Sequence, residues 1–278
     1  MTLIEHRSEL ATVRSGQRAR NVVCWGSAGS GKSTVAVNLS FELASNGWQV
    51  CLIDADTYHP SIAALLGITQ VAGGLAACLR LSKQNRFNSD EFERLVQQVD
   101  FPQSSLRVIT GLTSPSRWPE AEPSALQSLI DRLSEEFDYL IWDVASYCEV
   151  GLISVDSGRD RNQATQHLLA TADIVLALFL ADPVGINRLL FDLREVGREV
   201  WPVANRVRRS VLGRNPSNQL KTVLTRAAQQ SLIGEIWEDE GFDIMLQSTR
   251  PLQLQGRPSK AQQGLRKLAQ DISIALEE

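Results

Sequence analysis

The chain has 278 residues, 43% of them hydrophobic and 22% charged, an ordinary globular composition long enough to bury a large core. A formal charge of −4 and a pI of about 5.5 give no whole-molecule field that would draw it to nucleic acid or to an anionic membrane. Cys24, Cys51, Cys78 and Cys148 are widely spaced with no C-x-x-C pair. The start resembles no signal peptide and no apolar run nears about 18 residues, so a soluble, cytoplasmic protein with free thiols is expected.

Residues 1–20 carry Arg7, Arg14, Arg18 and Arg20 on a weak helical pattern and are set apart as an N-terminal extension, mobile or docking. No Pro/Gly/Ser-rich linker and no repeat divides the rest of the chain, so 21–278 is taken as one domain. Apolar runs predict strands at 21–25, 48–53, 106–110, 139–142, 174–180 and 200–204. Helical periodicity falls between them, at 33–45 with Gly47 closing the turn, then at 123–136, 163–171 and 186–199. Alternation of this kind predicts an α/β fold, a mostly parallel sheet with helices on both faces. The tail, 259–278, sets Leu265, Leu268, Ile272 and Leu276 on one stripe. That predicts a core-docking helix, since Asp271, Glu277 and Glu278 would be repelled by anionic lipid.

The chemistry concentrates at Gly26-Ser27-Ala28-Gly29-Ser30-Gly31-Lys32-Ser33, a complete G-x-x-x-x-G-K-[ST] run lying between a strand and a helix. Glycines 26, 29 and 31 let the backbone turn its N–H groups inward on phosphate oxygens. The helix beginning near Ser33 adds its positive end, with Thr34 following in the nucleotide-contacting set. Lys32 supplies a cation for the β and γ phosphates, and the Ser33 hydroxyl is a Mg²⁺ ligand.

Two carboxylate sites join the loop. The strand V-C-L-I runs into Asp54-Ala55-Asp56 at the sheet's carboxyl edge, where open α/β sheets bind ligands. These residues order Mg²⁺-bound and attacking water or, alternatively, cap a helix starting near Pro60. The run F-D-Y-L-I-W ends in Asp143, the form of a second Mg²⁺-side aspartate.

The run GSAGSGKSTVAVNLSFELASNGWQVCLIDAD resembles the start of the MinD/ParA group of P-loop ATPases. FDYLIWD, TADIVLALFLADPVGINRL and VANRVR resemble its later parts, so the likeness covers most of 21–278. Within the group the pilus-assembly or chromosome-partitioning branch, including CpaE and TadZ, is the most similar. The resemblance implies ATP/ADP and Mg²⁺ as ligands. Lys32 and Ser33 would hold phosphate and metal, Asp54 would support Mg²⁺ through water, Asp56 would position the hydrolytic water, Asp143 would be the second metal-side carboxylate, and Asn205 would contact adenine. It also implies a nucleotide-dependent homodimer and protein partners in a larger assembly.

Two positions depart from that pattern. Ser27 stands where most members carry a lysine that reaches a dimer partner's phosphates, and Val144-Ala145-Ser146 stands where a γ-phosphate-sensing glycine is usual. Among Arg159, Arg161 and Arg188, Arg161 is the candidate replacement cation; alternatively all three are surface or ion-paired arginines. Three functions are compatible with these residues: an ATP-hydrolysing switch in spatial organisation (pilus or secretion assembly, partitioning or cell division), a transferase like the bacterial tyrosine kinases, or a nucleotide-binding scaffold with little turnover. The kinase reading lacks a tail tyrosine cluster, Tyr58, Tyr139 and Tyr147 being the only tyrosines. Arg206, Arg208, Arg209 and Arg214 form a basic cluster, either a solvated loop or a DNA contact. The turn 237–240 reads as an acidic surface segment.

Overall fold

The structure, a computed structural model, describes residues 18–69, 73–102, 104–148 and 160–276. Residues 1–17 of the expected extension at 1–20, Arg159, Glu277 and Glu278 lie outside them. Eight strands form one sheet in the order β3-β4-β2-β5-β1-β6-β7-β8, parallel throughout except where β3 runs against β4. The strands are β1 (Arg20–Trp25), β2 (Val50–Ala55), β3 (Gln97–Phe101), β4 (Ser104–Ile109), β5 (Tyr139–Val144), β6 (Ile174–Leu180), β7 (Trp201–Val207) and β8 (Gly234–Trp237).

Period-two alternation puts Val23, Trp25, Cys51, Ile53 and Trp142 on one face and Val22, Cys24, Leu52 and Ile141 on the other. Both faces are buried, which explains the unbroken apolar run of β6. The first face is covered by α3 (Gly74–Lys83), α5 (Pro123–Leu133) and α6 (Gln163–Thr171). Over the second lie α1 (Lys32–Ser45) and the C-terminal helix α11 (Lys260–Ala275), which packs on α1 and β8. Leu265, Leu268 and Ile272 of α11 are buried, and Leu276 packs beside them, as a docking helix requires. Among the described residues no helix is long and apolar enough to cross a membrane.

The remaining helices are α2 (Ile62–Leu65), α4 (Ser89–Leu95), α7 (Pro183–Asp192), α8 (Arg209–Leu212), α9 (Pro216–Ala228) and α10 (Gly241–Ser248). Several boundaries differ from the sequence expectation for local reasons. Arg20 belongs to β1 rather than to the extension, its guanidinium lying 5.6 Å from the Trp48 ring centroid and 5.5 Å from that of Tyr139. The helix expected at 186–199 begins at Pro183, because Asp182 accepts a hydrogen bond from the Gly185 N–H at 2.7 Å and proline suits the first turn. The turn at 237–240 is not simply an acidic surface segment: Trp237 closes β8 under Lys260, and Glu238 pairs with Arg206 at 2.7 Å and Arg208 at 3.5 Å. Half of the basic cluster is thereby paired within the chain, while Arg209 and Arg214 are exposed.

Candidate phosphate and metal site

Register assembles the site. Cys24 of β1 pairs with Asp143 of β5, and Asp54 of β2 pairs with the same Asp143, so three neighbouring parallel strands deliver the loop at 26–31 and two carboxylates to one carboxyl edge. The loop's glycines adopt the conformations that glycine alone tolerates well, with φ of +151° at Gly26, +79° at Gly29 and +90° at Gly31. A Cβ at Gly26 would collide with the Leu178 carbonyl, and one at Gly31 with the Asn205 amide. Gly31 leads into α1 without a side-chain cap, so the first-turn N–H groups of that helix remain available to an anion at its positive end. Ser27 and Ser30 close the loop through a Ser30 N–H to Ser27 carbonyl bond of 3.1 Å, with Ala28 and Gly29 at the exposed tip and Thr34 half-buried in the first turn.

Lys32, 8% exposed, donates from Nζ to the Ser146 hydroxyl at 2.9 Å. Ser146 is in turn fixed by Trp25, whose indole N–H donates to its carbonyl at 3.2 Å. The sequence marks Ser146 only as a departure; its role as Lys32's partner arises from the adjacency of β1 and β5, which no local pattern encodes. Asn205 stands at the back of the loop. Its amide donates to the Ser30 carbonyl at 2.8 Å, and its oxygen accepts the Arg206 N–H at 2.9 Å. In this arrangement Asn205 braces the loop, leaving one amide hydrogen for a base.

Asp143 is fully buried, and neither carboxyl oxygen accepts a hydrogen bond of ordinary geometry, although the Ser33 hydroxyl lies beside it. Asp54 is buried too. One of its oxygens accepts the N–H groups of Ser61 and Ile62 at 2.8 and 3.0 Å, and the other accepts that of Asp56 at 3.2 Å. The alternative role of helix cap is therefore present in the structure, at the start of α2. Asp56 holds its own turn, one oxygen accepting the N–H groups of Tyr58 and His59 at 2.8 and 2.9 Å.

Buried polar atoms without partners gather at this edge: Ser30 Oγ, Thr57 Oγ1, both oxygens of Asp143 and Arg161 Nε. Buried polar groups are normally paired, so such a gathering marks where a polar ligand belongs. Ser33 and Asp143 fit Mg²⁺, a hard cation that takes oxygen ligands and keeps several waters. Among the described residues no group of three or more His, Cys, Asp or Glu is placed to hold a metal ion.

Burial pushes the Asp54 carboxyl up to about 7 despite its three backbone donors. Burial, then the neighbouring Asp54 charge, drives Asp143 well above the usual carboxylate range, opposed by the Ser33 hydroxyl and the Lys32 ammonium. Both groups hold a proton more tightly folded than unfolded. Their contribution to stability is thus complete below the ordinary carboxylate range; that of Asp54 is lost as pH rises through about 7, and that of Asp143 as pH rises above the usual carboxylate range. Urea denaturation without nucleotide is expected to show the protein less stable at pH 8 than at pH 5, by roughly 1–3 kcal/mol. Equal stability at the two pH values would contradict this electrostatic picture.

Arg161 lies beside the Asp56 loop, donating from Nη2 to the Thr57 carbonyl at 3.0 Å, with its guanidinium 4.0 Å from the Tyr58 ring centroid. Arg188 is exposed on α7. Cys24, Cys51 and Cys78 are buried, free thiols, and Cys148 is half-buried.

Residues 18–144 match a family model described as ParA, NUBPL iron-transfer P-loop NTPase. The chain is 29% identical over 126 residues to the iron-sulfur cluster carrier protein of Aquifex aeolicus, covering 43% of this chain and 30% of that protein. It is 26% identical over 238 residues to the septum site-determining protein MinD of Synechocystis sp., covering 86% of this chain and 83% of that protein. The chain thus spans less than a third of the carrier's length but most of MinD's. Among solved structures, the septum site-determining protein MinD from Pyrococcus horikoshii, complexed with Mg-ADP, superposes with a TM-score of 0.69 at 19% identity, covering 94% of this chain and 98% of that one. At that identity the likeness shows the fold: a mostly parallel sheet with helices on both faces, as the sequence pattern predicts.

Proposed function

We propose that this chain, which contains a ParA-family P-loop NTPase domain, is an ATP-binding and ATP-hydrolysing switch with residues 21–278 as its single domain. The observation that carries the proposal is the pairing of an uncapped glycine loop, with Lys32 at its end, and a buried, partnerless Asp143 beside the Ser33 hydroxyl. A polyphosphate and a cation are the ligands that complete both at once.

In this account the loop N–H groups at 26–31, the α1 N-terminus and Lys32 bind and orient the phosphates. Binding draws the Lys32 ammonium from the Ser146 hydroxyl toward phosphate. Ser33 and Asp143 would hold Mg²⁺, which supplies charge neutralisation for the transferring phosphoryl group, with Asp54 supporting it through water. Asp56 orients the attacking water. Asn205 offers its remaining amide hydrogen to the base; adenine rather than guanine rests on the MinD/ParA resemblance and on the lack of an N-K-x-D run. ATP binding favours one conformation or homodimer that recruits partners, and hydrolysis releases it. The setting proposed is cytoplasmic spatial organisation: pilus or secretion assembly, partitioning or cell division.

Light scattering tests the switch. Adding ATP and Mg²⁺ is expected to double the mass in solution, and a monomer saturated with ATP that turns over would contradict the dimer switch. One observation favours a second reading. Ser27 replaces the reaching lysine and Val144-Ala145-Ser146 stands where the sensing glycine is usual, so tight ATP binding with turnover near zero would select a nucleotide-bound scaffold instead.

A further inference from the structure

We infer that Arg161 is a positioning residue for Asp56, linking the segment that follows the Asp143 strand to the loop that carries the water-orienting carboxylate. This rests on the ATPase reading above and adds a residue to that site. The Asp56 carboxylate takes its orientation from the loop after it, since one oxygen accepts the N–H groups of Tyr58 and His59 at 2.8 and 2.9 Å. The loop leads into the four-residue helix α2. What holds the loop from the other side comes from residues 104 positions away in sequence.

Three contacts do this. Arg161 Nη2 donates to the Thr57 carbonyl at 3.0 Å, the guanidinium lies 4.0 Å from the centroid of the Tyr58 ring, and the Tyr58 hydroxyl donates to the Asn162 side-chain oxygen at 2.8 Å. Tyr58 also meets Tyr147 at a ring-centroid distance of 5.2 Å, and Tyr147 follows Ser146, the partner of Lys32. Asn162 is the residue from which α6 starts, so the anchor is itself fixed to a packed helix. A planar guanidinium can lie over an aromatic ring and hydrogen-bond a carbonyl at its edge simultaneously; an ammonium on a flexible stem cannot do both with comparable geometry. With these bonds made, Arg161 acts through the backbone that sets Asp56 rather than as a free cation aimed at phosphate.

The test combines turnover with hydrogen exchange in the full chain. Arg161→Ala is expected to lower kcat about tenfold while changing the KM for ATP less than about twofold, because orientation of the water, not phosphate binding, is disturbed. Arg161→Lys should not restore the rate. Tyr58→Leu should match Arg161→Ala, Tyr58→Phe, which keeps the ring and loses only the bond to Asn162, should lose less turnover than Tyr58→Leu, and the double variant Arg161→Ala with Tyr58→Leu should be no slower than the slower single variant. In the nucleotide-free protein, Arg161→Ala should speed exchange at the Tyr58 and His59 amides and leave that of Val35, on α1, unchanged.

Unchanged exchange at Tyr58 and His59 would overturn the inference, as would unchanged kcat, full rescue by lysine, or multiplicative losses in the double variant. The exchange arm needs no nucleotide. It decides the positioning claim even in a chain found to lack ATPase activity, so the two failures are distinguishable.

Discussion

Lys32→Ala is expected to weaken binding of ATP with Mg²⁺ by at least about a hundredfold, equivalent to about 2.7 kcal/mol, while leaving the fold intact. The size reflects what the side chain does. Lys32 brings a formal charge to an edge whose other phosphate-facing groups are N–H dipoles, and its only hydrogen bond to the described residues is to the Ser146 hydroxyl. Charge-assisted hydrogen bonds in a partly desolvated site are the strong ones, and a polyphosphate offers more than one. Ser146 is neutral, so losing its bond strands no charge there; Asp143, whose shift Lys32 opposes, holds its proton more tightly instead, and alanine suits the first turn of α1. Circular dichroism and the urea midpoint should therefore be close to wild type while calorimetry loses the binding heat. A variant that binds as tightly as wild type would place the phosphates elsewhere.

The second large effect has the opposite sign for stability. Asp143→Asn is expected to stabilise the nucleotide-free protein by about 1–3 kcal/mol at pH values where Asp143 is ionised, because a carboxylate buried without partners is costly and an amide of similar shape carries no charge. The same variant should lose the strengthening of ATP binding by Mg²⁺ and lower turnover by about 10²-fold or more, since the metal loses its buried counter-charge. Asp143 sits at 0% exposure with Asp54 paired to it across the sheet, so relief of like-charge repulsion adds to the gain. Urea melts with and without ATP and Mg²⁺ would show the two effects crossing. A variant that is both less stable and fully active would contradict the view that Asp143 is kept for a cation.

The sheet is largely legible from the sequence. Two elements, β6 and α6, fall at the predicted residues because one is a continuous apolar run and the other carries a clear helical face. The antiparallel edge strand β3 is not. Its Q-Q-V-D-F alternates polar and apolar residues too weakly to distinguish it from a loop, and only pairing with β4 defines it. Helix α3 escapes the pattern because it starts at Gly74 with Gly73 before it, both at positive φ, a pair that reads as a turn. Strand β8 is four residues long and starts with glycine.

The site divides in the same way. The glycine loop, Asp54, Asp56 and Asp143 can be read in sequence because strand ends and a contiguous motif place them, and the register brings them to one edge. Ser146 as partner of Lys32 and the Thr57 carbonyl as acceptor for Arg161 cannot, since those contacts span 114 and 104 residues. Nor does the sequence show that Asn205 braces the loop through the Ser30 carbonyl, whereas the cap that Asp54 supplies at α2 is among the roles the sequence offers.

The most direct measurement is a calorimetric titration of the folded chain with ATP in the presence of Mg²⁺. One molecule of ATP per chain, bound saturably and more weakly once Mg²⁺ is withheld, is the expected result. No detectable uptake of ATP or any other purine triphosphate by well-folded protein would contradict it.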